Sequence, residues 1–296
     1  MGTTNRFEQQ PNAREVSRRM FLKAMGALAA VPVATSLAGC GGQRASEAGS
    51  ATGSAGDAAS TLTFAQAAEP SSLDPALISD IASSNVTNQI YENLVRFNED
   101  CSEIIPWLAE DYTISDDGLT YTFTLHQGVK FHDGSDFNAE AVKRSVSRQL
   151  EPDRLDSMPY ASFNFGSEDA GTGVASIECP DDYTVVFTLR AVSTPFIKNL
   201  AMQLSSPIVS PTALDTYDND LSEHPVGTGP YAFRSWDRSQ NLVLEAFDDY
   251  WNDDNAAKMD TVVFRFIAET SSRVTALGNG EVDIIDGIDA SVVPTI

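Results

Sequence analysis

Three histidines, His126, His132 and His224, and three cysteines, Cys40, Cys101 and Cys179, are the side chains best suited to move a proton, attack a carbonyl or hold a metal. His132-Asp133-Gly134 has the composition of an imidazole–carboxylate pair that would shuttle protons near neutral pH, but Asp-Gly is first of all a turn signal. The acid pairs Asp248-Asp249 and Asp253-Asp254 are sequence neighbours, so their side chains diverge unless the backbone turns. There is no Gly-x-Ser-x-Gly, no His-Glu-x-x-His and no Cys-x-x-C spacing. An exported hydrolase is therefore the contrasting hypothesis, and no assembled motif supports it. The glycine-rich stretch PVGTGPY at 225–231 invites a phosphate-cradle reading. It matches neither Gly-x-x-x-x-Gly-Lys-Ser/Thr nor a Gly-x-Gly-x-x-Gly that opens a helix, because Pro230 and Tyr231 lead into a strand. Gly227 and Gly229 then read as a structural turn, a backbone path that side chains would block.

The elements that must position these residues belong to a globular chain. It has 296 residues, 42% hydrophobic, enough for a substantial core and two domains. Nineteen Lys and Arg stand against 42 Asp and Glu, which excludes a sequence-independent grip on nucleic-acid phosphates.

The N-terminus carries an address. Ser17-Arg18-Arg19-Met20-Phe21-Leu22-Lys23 precedes an uncharged, alanine-rich segment at 24–38 that is too short and too weakly apolar for a permanent membrane span. The twin arginines Arg18 and Arg19 fit the S-R-R-x-F-L-K export pattern, and Leu37-Ala38-Gly39-Cys40 resembles a bacterial lipobox whose cysteine is lipidated. Residues 1–39 are thus read as a twin-arginine lipoprotein signal peptide. Their removal takes away five cations and two acids, moving the net charge from −23 to −26. Residues 40–60 are small and polar and read as a flexible tether. Cys101 and Cys179 remain; export permits a disulfide between them, and two separate thiols are equally consistent with the sequence.

The folded part, 61–296, alternates strand and helix signals. LTFAQ at 62–66 reads as the first strand, followed by a loop whose Pro70 and Pro75 forbid a helix. Val86, Ile90 and Leu94 recur every four residues and predict a helix over 83–94, with Tyr91 as core. Asp116-Asp117-Gly118 between alternating runs at 112–114 and 119–125 predicts a hairpin. Asn138 is the expected N-cap of the helix that follows, with Glu140 near its positive end. Strands are expected near 174–178, 184–189, 231–236, 242–246, 260–267 and 281–285. Helices are expected from Pro195, over 212–217 and over 271–277.

The pieces EPSSLDPA, QIYENLVRF, PWLAEDY, SDDGLTYTFTLHQGVKFHDG, FNAEAVKRS, PVGTGPY, DDYW and RVTALGNGEVDI occur in that order. Together they resemble the family 5 extracellular solute-binding proteins of ABC importers, which handle oligopeptides, dipeptides and nickel chelates. The resemblance implies an α/β fold, a type II periplasmic-binding-protein lobe with a mixed sheet, flanking helices and an extra subdomain at about 95–190. It implies that 61–296 form the first lobe, that the chain ends near the crossover, and that the second lobe is largely missing. It implies a peptide or similar small-molecule ligand, an ABC permease as partner, a lipid anchor through Cys40 on the outer face of the cytoplasmic membrane, and no cofactor, metal or chemistry of its own. By the same resemblance Ala68, Glu69, Pro70 and Ser71 pair with ligand backbone, while the acid that receives a peptide's ammonium in some members belongs to the other half. For Glu69 a solvated loop acid is the competing reading. A chain complete at Ile296 is expected to show weak or no stabilisation by ligand, and a truncated, non-transporting surface lipoprotein or fragment is the alternative function.

Overall fold

The computed structural model describes residues 60–151, 157–167 and 170–288; Arg18, Arg19, Cys40 and the tether up to residue 59 lie outside the described residues. Two sheets organise the rest. The larger has five strands in the order β11-β1-β10-β9-β8, built from β1 (Thr61–Gln66), β8 (Tyr231–Asp237), β9 (Asn241–Ala246), β10 (Thr261–Phe266) and β11 (Ile284–Ile285). β1 runs parallel to both β10 and β11, and the β10-β9-β8 ladders are antiparallel, so the sheet is mixed. Its register explains its apolar face: Leu62 pairs with Val262 and Phe64 with Phe264, which in turn oppose Leu244 and Leu242. A two-residue side-chain period puts these on one surface. α1 (Ile81–Ile90) packs its Val86 and Ile90 into the same cluster, and Ala65 on the other face meets Ala276 of α6 (Thr270–Gly278).

The second sheet is antiparallel, β4-β5-β7-β6, from β4 (Ala109–Ile114), β5 (Thr120–Leu125), β6 (Val174–Asp181) and β7 (Thr184–Leu189). Tyr121, Phe123 and Leu125 alternate inward with Val185, Phe187 and Leu189, and α2 (Ala139–Leu150) covers them with Ala141, Val142 and Val146. The Asn138 side chain accepts from the Ala141 N–H, as a helix N-cap should. Smaller pieces complete the chain: a ladder of β2 (Val95–Phe97) and β3 (Ile104–Pro106), and the short helices α3 (Ala161–Phe165), α4 (Phe196–Asn199) and α5 (Pro211–Thr216). A buried bidentate ion pair links the loop after β1 to α2: Arg148 donates to the Asp74 carboxylate at 2.8 and 2.7 Å.

Most predicted elements appear within a few residues of their expected bounds. Two differ for physical reasons. The helix expected over 83–94 spans Ile81–Ile90 instead, because Asp80 caps it by accepting from the Ser83 N–H at 2.8 Å. Beyond Ile90 the chain turns extended: Gly229 donates to the Ile90 carbonyl and Ile208 to the Glu92 carbonyl, both at 2.9 Å. Tyr91 and Leu94 are buried, but not by one helical face. The strand expected over 281–285 shrinks to Ile284–Ile285. Gly280, with φ of 70°, and the Glu281 N–H bonded to the Ala276 carbonyl prolong the helix cap into that stretch. Cys101 and Cys179 are both free thiols.

Candidate functional site

The carboxyl ends of the parallel strands β1, β10 and β11 leave the five-stranded sheet side by side, and in open α/β sheets ligands bind in the crevice outside such ends. Three loops meet there: 67–71 after β1, 267–269 after β10 and 286–288 after β11. The Ala67 N–H donates to Asp286 Oδ1 at 3.0 Å, and the Ile267 N–H to the Gln66 carbonyl at 3.0 Å, so the exits are stitched to one another.

The four residues assigned to ligand contact lie in the first loop and do different things. Ala68 is exposed, and its N–H and C=O carry no hydrogen bond among the described residues. Glu69 is held by the β8–β9 turn at the same edge of the sheet: its carboxylate accepts from Trp236 Nε1 at 2.9 Å and Ser239 Oγ at 3.5 Å, with Arg238 Nη1 at 3.6 Å. Arg238 lies over the Trp236 ring, 3.5 Å from its centroid, so the β8–β9 turn holds this acid. Pro70 is buried. Ser71 fastens the loop to the start of α1, its hydroxyl donating to Asp80 Oδ2 at 2.6 Å and its N–H donating to Ser83 Oγ at 2.9 Å. Burial pulls the Asp80 carboxyl up, but the bonds from Ser71 and Ser83 outweigh it and hold it below its usual value.

The histidines serve the scaffold. The His132 N–H donates to the Gly227 carbonyl at 2.9 Å, Nε2 bonds the Gly229 carbonyl at 2.9 Å, and Nδ1 accepts from the Gly227 N–H at 3.4 Å. Burial pushes this imidazole down to about 4, against the opposing pull of the Gly229 bond, so it is neutral. Asp133 faces elsewhere, accepting from Ser210 Oγ at 2.5 Å and from the Ser135 N–H at 2.9 Å. No hydrogen bond joins His132 to Asp133, so the proton-shuttling pair does not form. His126 packs on Trp251 and His224 stacks on Tyr217. From the opposite side of the PVGTGPY turn comes the end of α1. A Cβ on Gly227 would lie 2.1 Å from the Ile90 carbonyl oxygen, and one on Gly229 2.5 Å from that of Gln89. Close backbone approach, rather than a positive φ, is what these glycines permit.

Sequence reasoning missed Glu92, a carboxylate with four hydrogen bonds among the described residues, which is 5% exposed. Oε1 accepts from Trp107 Nε1 at 2.7 Å and Tyr250 Oη at 2.6 Å; Oε2 accepts from Thr228 Oγ1 at 2.8 Å and Trp251 Nε1 at 2.9 Å. Each oxygen thus takes one indole and one hydroxyl. Burial raises this carboxyl above its usual value even though all four donors lower it. The donors come from PWLAEDY, PVGTGPY and DDYW, so these separate motifs converge on the glutamate of QIYENLVRF. The available signal was an acid placed between the apolar residues Ile90, Tyr91, Leu94 and Val95.

Comparison with known proteins places this architecture. The family described as bacterial extracellular solute-binding proteins, family 5 Middle, matches residues 103–296. The chain is 39% identical over 211 residues to the glutathione-binding protein GsiB of Pectobacterium atrosepticum, an alignment covering 71% of this chain and 38% of that one. The periplasmic binding protein DppA of Helicobacter pylori, solved with the peptide STSA, superposes with a TM-score of 0.72 at 36% identity, over 79% of this chain and 48% of its own. NikZ of Campylobacter jejuni, solved with Ni(L-His), gives a TM-score of 0.69 at 27% identity over 79% and 44%. The chain therefore spans about two fifths of the length of the curated relatives it matches. GsiB and DppA are binding proteins, not enzymes.

Proposed function

Because the chain belongs to the bacterial extracellular solute-binding proteins of family 5, we propose that it captures a short peptide, glutathione or a comparable small solute for an ABC importer. The ligand's main chain lies along the 67–71 loop and pairs with Ala68, and the loaded protein is presented to a membrane permease. Closure of a clamp around the ligand would be a population shift between open and closed forms. Cys40 carries the lipid that holds the protein at the outer face of the membrane after export through the Arg18-Arg19 signal, and residues 61–296 form the first lobe. The observation that carries this reading is the open backbone of Ala68 between the exits of three strands, beside a carboxylate, Glu69, already committed to Trp236 and Ser239. Such a loop offers main-chain hydrogen bonds, which suits recognition of a ligand backbone.

Calorimetric titration of the purified chain with reduced glutathione and with the tetrapeptide Ser-Thr-Ser-Ala tests it. The expected result is weak but saturable binding of at least one of them without turnover, weakened at least tenfold further by Ala68→Pro, which removes the N–H. Hydrolysis of either compound, or binding indifferent to Ala68→Pro, would overturn it.

A further inference from the structure

We propose that Arg273 is the positioning residue of the ligand wall, a buried cation that fixes the geometry of the loops around Ala68 without touching ligand itself. The proposal rests on the binding function above. A guanidinium has five N–H donors in a rigid planar fork. In Arg273 all five find acceptors: Nη1 donates to the carbonyls of Ile267 at 2.6 Å and Ala268 at 2.8 Å. Nε donates to the Asp286 carbonyl at 3.1 Å, and Nη2 to the Gly287 carbonyl at 3.0 Å and Thr270 Oγ1 at 3.3 Å. Four of the five acceptors are main-chain carbonyls, two in the loop after β10 and two in the loop after β11. One planar group thereby sets the spacing of two loops that have no ladder between them.

The residue is 1% exposed, and its nearest carboxylate oxygen, Asp286 Oδ1, is 3.9 Å from Nε. Burying a cation without a hydrogen-bonded counter-ion is costly, and the bonds to these carbonyls offset that cost. What an apolar residue could not do is hold four carbonyls in register. The arrangement reaches Ala68 through one further link: Asp286, held by its own carbonyl, accepts the Ala67 N–H at 3.0 Å. Arg273 thus orders Asp286, Asp286 orders Ala67, and the ligand strand begins at the next residue. Gly287, with φ of 57°, lets the chain curl over the guanidinium; a Cβ there would meet Nη2 at 3.3 Å.

Amide hydrogen exchange on the full chain, read residue by residue, separates positioning from general stability. In Arg273→Gln the Ala67 amide is expected to exchange at least tenfold faster, while Leu244 and Phe233 in the distant β8–β9 ladder stay within twofold of the unsubstituted protein. Arg273→Lys, whose single nitrogen can serve at most three acceptors, should fall between and supplies the measurement if the glutamine variant fails to fold. Asp286→Ala should match Arg273→Gln at Ala67, and the double variant should be no faster than Asp286→Ala alone, since both act along one path. Uniform acceleration over the whole chain, or additive effects in the double variant, would overturn the proposal. With glutathione or Ser-Thr-Ser-Ala as probe, Arg273→Gln should weaken binding at least tenfold, and unchanged binding also overturns it. If the unsubstituted chain binds neither probe, the binding function fails, while the exchange data still decide the role of Arg273.

Discussion

Replacing Glu92 by glutamine changes one oxygen to nitrogen at constant shape, and the geometry says why the fold should not tolerate it. Each carboxylate oxygen receives one indole N–H and one hydroxyl. A hydroxyl can rotate and accept from a new amide N–H, but an indole nitrogen only donates. Whichever way the glutamine amide is placed, its NH2 faces Trp107 Nε1 or Trp251 Nε1, and one buried indole N–H loses its acceptor. A buried donor left without a partner costs about 1–3 kcal/mol. Removing the buried charge offsets part of this, since burial already raises the Glu92 carboxyl. The net expectation is about 2 kcal/mol lost, or about 4–8 °C in Tm for a domain of this size. The pH dependence follows from the sign of the shift. A carboxyl raised by folding contributes most below its unfolded value, near 4.5, and that contribution fades as pH rises through the folded value. The gap between the unsubstituted chain and Glu92→Gln should therefore be wider at acid pH than at pH 8. Urea melts followed by tryptophan fluorescence measure it, with the exposed Glu110→Gln as control. A loss below about 0.5 kcal/mol, or a gap that widens with pH, would refute the reasoning.

Two more predictions concern the turn at 225–231. His132 has its folded value depressed to about 4 from 6.5, so the neutral form is favoured: stability is complete above about 6.5 and falls as pH drops toward 4, by about 3 kcal/mol in all. His132→Phe should remove that segment of the acid-denaturation curve, and an unaltered pH profile in melts between pH 7 and 4 would contradict it. Gly227→Ala places a methyl group 2.1 Å from the Ile90 carbonyl oxygen, and neither partner is a flexible side-chain end. It should cost about 3 kcal/mol or more, whereas Gly128→Ala, with open space around it, should cost only its backbone strain. Comparable thermal midpoints for the two variants would rule out close approach as the reason for Gly227.

The sequence disclosed what is local. The Asp116-Asp117-Gly118 hairpin, the Asn138 cap, and the pairing of β8 with β9 follow from turn chemistry and alternation over a few residues, and the structure has all three. Helix α1 was misplaced because its ends are set from outside: Asp80 caps it below the apolar run, and Gly229 and Ile208 capture the carbonyls that would have continued it. The Glu92 partners lie 15, 136, 158 and 159 residues away, and Ala67 bonds an aspartate 219 residues on. No periodicity carries such contacts. A sequence shows that Trp107, Thr228, Tyr250 and Trp251 are polar-tipped, but only the fold shows that they share one acceptor. Likewise the loop carrying Ala68, Glu69, Pro70 and Ser71 could be found from a resemblance, whereas the commitment of Glu69 to Trp236 needed the β8–β9 turn in place. Arg273 sat within RVTALGNGEVDI without any local sign that all five of its donors would be used.

The central claim is that ligand meets this chain at the carboxyl ends of β1, β10 and β11. It is tested most directly by recording amide chemical shifts of the full chain during titration with glutathione and with Ser-Thr-Ser-Ala. Saturable shifts confined to 67–71, 267–269 and 286–288, largest at Ala68, are the expected result; shifts centred on His132 or Trp251, or none at millimolar ligand, would contradict the claim.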